Sequence, residues 1–121
     1  MTIAPEGAHL VLRPDGTLEL DRGSPAGLHR PSADILLASI ATSARKAAVG
    51  VVLTGMGRDG AAGIEAVAAA GGLTIAQDEA SSAVYGMPRE AAKRGAELIL
   101  PLGEIAGVLT AIAVERTGMR L

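Results

Sequence analysis

Cysteine, tryptophan and phenylalanine are absent from this chain, and tyrosine occurs once, at Tyr85. Without cysteine there is neither a disulfide nor a thiolate metal ligand, which suits a reducing compartment such as the cytoplasm. The two histidines, His9 and His29, stand far apart and no acids are paired at ligand spacing, so neither a metal nor another cofactor is expected. Base-stacking aromatics are all but missing. Eleven basic against 13 acidic residues give a formal charge of -2 and no basic field for a phosphate backbone, which argues against nucleic-acid binding. Long apolar runs are lacking too: the most apolar stretch, Ala66 to Ala76, is broken by Gly71-Gly72, whereas a membrane span needs about 20 apolar residues. No membrane insertion is expected. The opening residues, Met1 to Glu6, have no basic region and no long apolar core, so they do not read as a signal peptide.

What the chain does have is aliphatic bulk. Hydrophobic residues make up 49% of its 121 positions, so the core must be assembled from Ala, Val, Leu and Ile, and the length fits one domain, 1-121. Leu10 to Leu12 and Thr17 to Leu20, separated by Arg13-Pro14-Asp15-Gly16, predict a β-hairpin. Asp21 to Pro31 reads as a surface loop, after which Ser32 can cap a helix from about Ala33 to Arg45, with Leu36 and Ile40 on one face. Ala48 to Leu53 is a continuous apolar run, the pattern of a parallel strand buried on both sides. A helix over Ala61 to Ala70 carries Ile64, Val67 and Ala68 on one stripe and is closed by Gly71-Gly72. Leu73 to Ala76 predicts a second strand, Pro88 to Arg94 a short helix, and the region Glu97 to Leu100 a third strand. A last helix places Ile105, Val108, Leu109 and Ile112 at i, i+3, i+4 and i+7. Repeated strand-helix units joined by short turns define the fold class: α/β, a parallel doubly wound sheet with helices on both faces, plus an N-terminal β-hairpin.

Chemistry concentrates in the loop from Gly55 to Gly60, because ligands in open α/β sheets collect beyond the carboxyl ends of the strands. Gly55, Gly57 and Gly60 satisfy G-x-G-x-x-G between a strand and a helix, with Asp78 and Glu79 near the spacing of a ribose-binding acid, so a dinucleotide site is one reading. Against it, Asp59 puts a carboxylate where a pyrophosphate would sit, and Arg58 offsets that only in part. A second reading makes Asp59 the working residue, an ionised carboxylate at a Gly-flanked turn that orients a histidine for proton transfer from a serine. On residue type alone, an N-cap for the helix from Ala61 is commoner than either.

The run Val49-Gly50-Val51-Val52-Leu53-Thr54-Gly55-Met56-Gly57-Arg58-Asp59-Gly60-Ala61-Ala62-Gly63 resembles the signature of the CheB family, methylesterases that demethylate chemoreceptors. Flanking segments agree in order: Ile3-Ala4-Pro5 with His9, Arg30-Pro31-Ser32-Ala33-Asp34, Thr74-Ile75-Ala76-Gln77-Asp78-Glu79-Ala80, and Gly86-Met87-Pro88-Arg89-Glu90-Ala91 are similar to successive family boxes. The resemblance implies hydrolysis of glutamate methyl esters, and deamidation of certain glutamines, on the cytoplasmic helices of chemoreceptors by a Ser-His-Asp triad. By motif match Asp59 is the aspartate of that triad, and Met56 with Gly55 and Gly57 lines the substrate site. The family's serine and histidine motifs, G-x-S-T-G-G and Q-H-M, precede the Ile-Ala-Pro segment and do not occur in these residues, nor does its receiver domain.

Internal replacements are not marked. His9, beside the hairpin, reads as exposed or structurally hydrogen-bonded, and His29 as a surface residue near substrate. Ser81 and Ser82 lie in a polar loop without an activating motif, and Gln77, Asp78 and Glu79 read as solvated loop. The expectation is therefore the C-terminal portion of a methylesterase domain, with little activity alone unless the missing segment is supplied in trans. Uncovered sheet edges favour self-association. A non-catalytic receptor-binding module is the alternative.

Overall fold

A computed structural model describes residues 1–23 and 29–118. The loop expected over Asp21 to Pro31 thus falls partly outside the described residues. β1 (His9–Leu12) and β2 (Leu18–Asp21) form an antiparallel hairpin, closed where the Arg13 amide donates to Thr17 O at 2.8 Å. Asp15 accepts from the Thr17 amide and hydroxyl, which stiffens the tip, and Arg13 pairs with Glu19 across the strands. α1 (Ala33–Ala44) runs through a short 3-10 turn, Arg45–Ala47, into β3 (Val49–Val52). Then come α2 (Ala61–Ala69), β4 (Leu73–Gln77), α3 (Met87–Lys93), β5 (Leu98–Leu100) and α4 (Leu102–Thr117).

The strands β3, β4 and β5 lie side by side in that order, all parallel, with Val52 opposite Ala76 and Ala76 opposite Ile99. Because side chains alternate along a strand, Gly50, Val52, Thr74 and Ala76 face one way. They meet Leu37 and Ala41 of α1, Ile64 and Val67 of α2, and Ala91 of α3 in one buried cluster. On the opposite face Ile75 is fully buried and α4 packs on β4 through its buried Ile105. Each fully buried Ile or Val in this arrangement contributes about 1.5–3 kcal/mol relative to exposure.

The fold is thus the α/β arrangement that the periodicity predicts, with several faces displaced. The buried stripe of α1 is Leu37 and Ala41, while Leu36 and Ile40 are half-buried. Gly63 is the cause: a Cβ there would lie 2.5 Å from Leu37 Cβ, so α2 approaches α1 along the Leu37 side. On α2, Ile64 and Val67 are buried but Ala68 is exposed. β3 is covered on one face only, since its Val49 and Val51 are half-buried and Leu53 is exposed. Leu109 of α4 also reaches solvent. No helix among the described residues is long and apolar enough to cross a membrane.

The hairpin does not join the parallel sheet. It rides on α1, whose Ser39 Oγ accepts the Leu12 amide proton at 2.9 Å and whose Ser43 Oγ donates to Leu12 O at 2.8 Å. This docking buries His9 and leaves it beside the start of α1.

Candidate functional site

The start of α1 and the loop of residues 54–60 meet at the carboxyl ends of the strands, and two aspartates are exchanged between them. Asp59 does not cap its own helix. Its Oδ2 accepts the Ala33 amide proton at 2.7 Å, and its Oδ1 accepts from the Asp34 amide and from the Ser32 hydroxyl, both at 3.0 Å. In return Asp34 Oδ1 accepts the Gly60 amide proton at 2.9 Å and that of Gly63 at 2.8 Å. The N-cap expected of Asp59 on the helix from Ala61 is therefore supplied by Asp34, and Asp59 serves the neighbouring helix. Gly60 has φ +98, a left-handed conformation that a side chain would strain, and it has no side-chain acceptor to offer its own helix.

Burial pushes the Asp59 carboxyl upward. The amides of Ala33 and Asp34, the Ser32 hydroxyl and the Gly60 amide outweigh it, and the group lies below the ordinary carboxylate range. The result is a half-buried carboxylate, held ionised by donors that belong to a rigid helix end. Beside it is a hollow of about 280 Å³, walled by Ala4, Leu10, Pro31 and Leu36 and floored by Ser32, Ala33 and Asp59.

Behind Ser32 stands His9. It is fully buried and its Nδ1 accepts the Ser32 amide proton at 3.0 Å, so in the neutral ring the proton sits on Nε2. Nε2 has no partner among the described residues. A histidine so enclosed cannot act as a general base for a substrate arriving from solvent, and its role is to hold the chain entering α1. His29 is exposed, as expected.

The chain beyond β3 is also held to a second loop, the one that leads into α3. Gly55 bridges to Tyr85 as a parallel ladder step, its amide donates to Val84 O at 3.0 Å, and its carbonyl accepts from the Gly86 and Met87 amides. Thr54 Oγ1 donates to Val84 O and accepts from the Val84 amide. Gly57, with φ +98, then turns the chain so that Met56 projects outward, 86% exposed. Neither Met56 nor Gly55 and Gly57 is among the residues that line the hollow beside Asp59.

Gln77 is a correction to the sequence reading. It ends β4 fully buried, with Oε1 accepting the Thr54 amide proton at 2.8 Å and Nε2 donating to Ser81 O at 2.7 Å and to Ser81 Oγ at 3.2 Å. Ser81 Oγ in turn donates to Asp78 and accepts from the Leu102 amide, while Ser82 Oγ donates to Asp78 O at 2.7 Å. These hydroxyls are occupied in building the loop. The dinucleotide reading fails on the same accounting, because the Gly60 and Gly63 amides already bind a carboxylate where a pyrophosphate would need them. Among the described residues no group of three or more His, Asp or Glu could hold a metal.

Comparison with known proteins agrees with the motif reading. Residues 1–109 match the family model described as CheB methylesterase. The chain is 55% identical over 108 residues to the protein-glutamate methylesterase FrzG of Myxococcus xanthus, covering 88% of this chain and 32% of that protein. It is 53% identical over 108 residues to a protein-glutamate methylesterase/protein-glutamine glutaminase of Xanthomonas campestris, covering 86% of this chain and 31% of that one. Its fold superposes on the crystal structure of the Thermotoga maritima CheB methylesterase catalytic domain with a TM-score of 0.83 at 33% identity, covering 89% of this chain and 59% of that chain. The chain thus spans about a third of the length of these relatives.

Proposed function

Since the chain belongs to the CheB methylesterase family, we propose that it forms the C-terminal portion, one domain's share, of a site that hydrolyses glutamate methyl esters, and deamidates glutamines, on cytoplasmic helices of chemoreceptors. The observation that carries the reading is the Asp59 carboxylate, fixed by Ala33, Asp34 and Ser32 at the carboxyl edge of the sheet and open to a hollow large enough for an imidazole ring. In this reading Asp59 is the triad aspartate. It orients an imidazole whose far nitrogen takes the proton of a serine as that oxygen attacks the ester carbonyl. The proton then passes to the departing methoxide, methanol leaves, and water releases glutamate from the acyl-serine. Gly55 and Gly57 shape the turn, and Met56 lines the substrate side of it.

In this reading the serine and the imidazole come from outside these residues, since among the described ones His9 is enclosed, His29 is exposed and carries no family histidine motif, and Ser81 and Ser82 are bonded within their own loop. The chain by itself then shows little ester hydrolysis, and the nucleophile-bearing segment acts in trans or as part of a longer polypeptide. The location that goes with this substrate is the cytoplasm.

The test is methanol release from methylated receptor, measured with this chain, with a separately expressed segment carrying G-x-S-T-G-G and Q-H-M, and with both. Activity only in the mixture, lost in D59N, supports the proposal. Turnover by the chain alone, or an active mixture indifferent to D59N, refutes the role given to Asp59. Receptor binding without turnover in any sample supports a binding module instead.

A further inference from the structure

Asp34 and Asp59 each cap the other's helix, and the two halves of that exchange are not equal. Asp59 lines the hollow, whereas Asp34 does not, and its Oδ1 accepts from the backbone amides of Gly60 and Gly63. The Asp34 amide donates to Asp59 Oδ1 at 3.0 Å, and the amide immediately following Asp59, that of Gly60, donates to Asp34 Oδ1 at 2.9 Å. Two residues 25 apart in sequence are thereby locked into a closed ring. The Gly63 amide adds a second anchor within the first turn of α2, where the missing Cβ allows the Asp34 backbone to approach; a Cβ there would be 3.2 Å from Asp34 Cα.

We propose that Asp34 is the positioning residue for Asp59: by holding the Gly60 and Gly63 amides it fixes the loop against α1 and sets the direction of the Asp59 carboxylate. This deepens the esterase reading and rests on it for its consequence in catalysis, though the geometry itself does not. Both contacts fall on the same oxygen, so an asparagine can make them and an alanine cannot. Charge and position are therefore separable. If Asp34 acted only through its charge, removing the charge in D34N and in D34A would alter Asp59 alike, and both would favour its ionised form further. If it acts by position, D34N leaves Asp59 held, while D34A loosens the loop and weakens the bonds to Ala33 and Ser32. The other ionisable neighbours are Arg58, next to Asp59 in the chain, His9 behind Ser32, and Arg94, which pairs with Glu65 and also senses the charge of Asp34. All three are unchanged in the variants.

The experiment is a carbon-detected NMR titration of the Asp59 carboxyl in the chain as it stands, with the Ala33 amide signal followed in parallel. In D34A the Asp59 midpoint moves up towards the ordinary carboxylate value and the Ala33 amide loses its downfield shift. In D34N both stay as in the unsubstituted chain, or the midpoint falls slightly. D34S, too short to span both amides, follows D34A and replaces it should D34A not fold. Midpoints that shift together in D34A and D34N, or that stay fixed in both, overturn the proposal. In an active mixture with the complementary segment, D34A lowers kcat by roughly ten- to a hundredfold with little change in KM, and D34N restores most of it. An inactive mixture with the expected titration removes the esterase reading and leaves the positioning role. An active mixture without the titration effect removes only the latter.

Discussion

Gln77 reaches from the end of β4 to the amide of Thr54 at the end of β3, 2.8 Å away, and from the same side chain donates to the Ser81 carbonyl at 2.7 Å. One buried amide thus ties together the two loops that follow β3 and β4. Its removal in Q77A strands the Thr54 amide and the Ser81 carbonyl, each at roughly 1–3 kcal/mol if left unsatisfied. The urea midpoint should fall accordingly, and a change within the noise of the measurement would show that water takes over both bonds.

Two glycines in those loops separate backbone crowding from side-chain crowding. A Cβ on Gly86 would lie 2.8 Å from Gly55 O and 3.0 Å from Gly57 N, which are backbone atoms of the facing loop. A Cβ on Gly55 would meet the Met87 sulfur at 2.7 Å, the far part of a flexible side chain that can swing away. G86A is therefore expected to lower the melting temperature markedly and G55A hardly at all. Equal losses would show that Met87 is as fixed as backbone.

The helix glycines divide in the same manner. G63A forces Leu37 away and should cost about 1–3 kcal/mol as an overpacked core position. G107A, exposed in α4 with nothing within 4 Å of the added carbon, should instead gain about 0.5–1 kcal/mol from reduced backbone entropy. Chemical denaturation of the two variants reads the opposite signs directly.

Asp59 links stability to pH. Its folded carboxyl lies below the ordinary range: burial opposes this, and the amides of Ala33, Asp34 and Gly60 with the Ser32 hydroxyl outweigh burial. The unfolded state therefore binds the proton more readily, and the stabilisation is present above the unfolded value of about 3.9 and is lost as pH falls through the lower folded value. D59N should be less stable than the unsubstituted chain at about pH 6, with the gap narrowing once pH falls below the unfolded value of about 3.9. Asp15, shifted downward by its Thr17 hydroxyl and amide, is common to both and cancels in the difference. A gap constant with pH would mean that the carboxylate contributes shape and not charge.

The sequence patterns identify elements well and their partners poorly. Ala48 to Leu53, Leu73 to Ala76 and Ile105 to Ile112 carry their periods in the side chains themselves, and each lies within or across a strand or helix of the expected kind. Asp59 was legible as a residue at a strand's carboxyl end. That it caps α1 and not α2 was not, because the bond joins residues 25 to 27 apart and local spacing describes only one helix at a time. Gln77 looked like loop beside Asp78 and Glu79, yet it belongs to the central strand, whose end the Thr54 and Ser81 loops cover. Of the two readings of His9, exposed or structurally hydrogen-bonded, the second holds, and its burial was not legible because a hairpin announces its turn and not its docking place. The signal that would have found Asp34 was there: an acid in the first turn of a helix, three residues after a proline, when the facing helix begins with glycine.

An interior in which Ala41, Ala48, Ala76 and Ala91 alternate with Leu37, Val52, Ile64 and Val67, and in which Leu37 closes against a bare α-carbon, has little room at its small positions. Its tolerance of change is consequently lopsided at those positions: trimming Ala41 or Ala76 removes a single methyl, while a methyl added at Gly63 meets Leu37 Cβ at 2.5 Å and one added at Gly72 meets the Ala48 carbonyl oxygen at 2.7 Å. Substitutions that enlarge a small interior residue are therefore the ones this fold resists most.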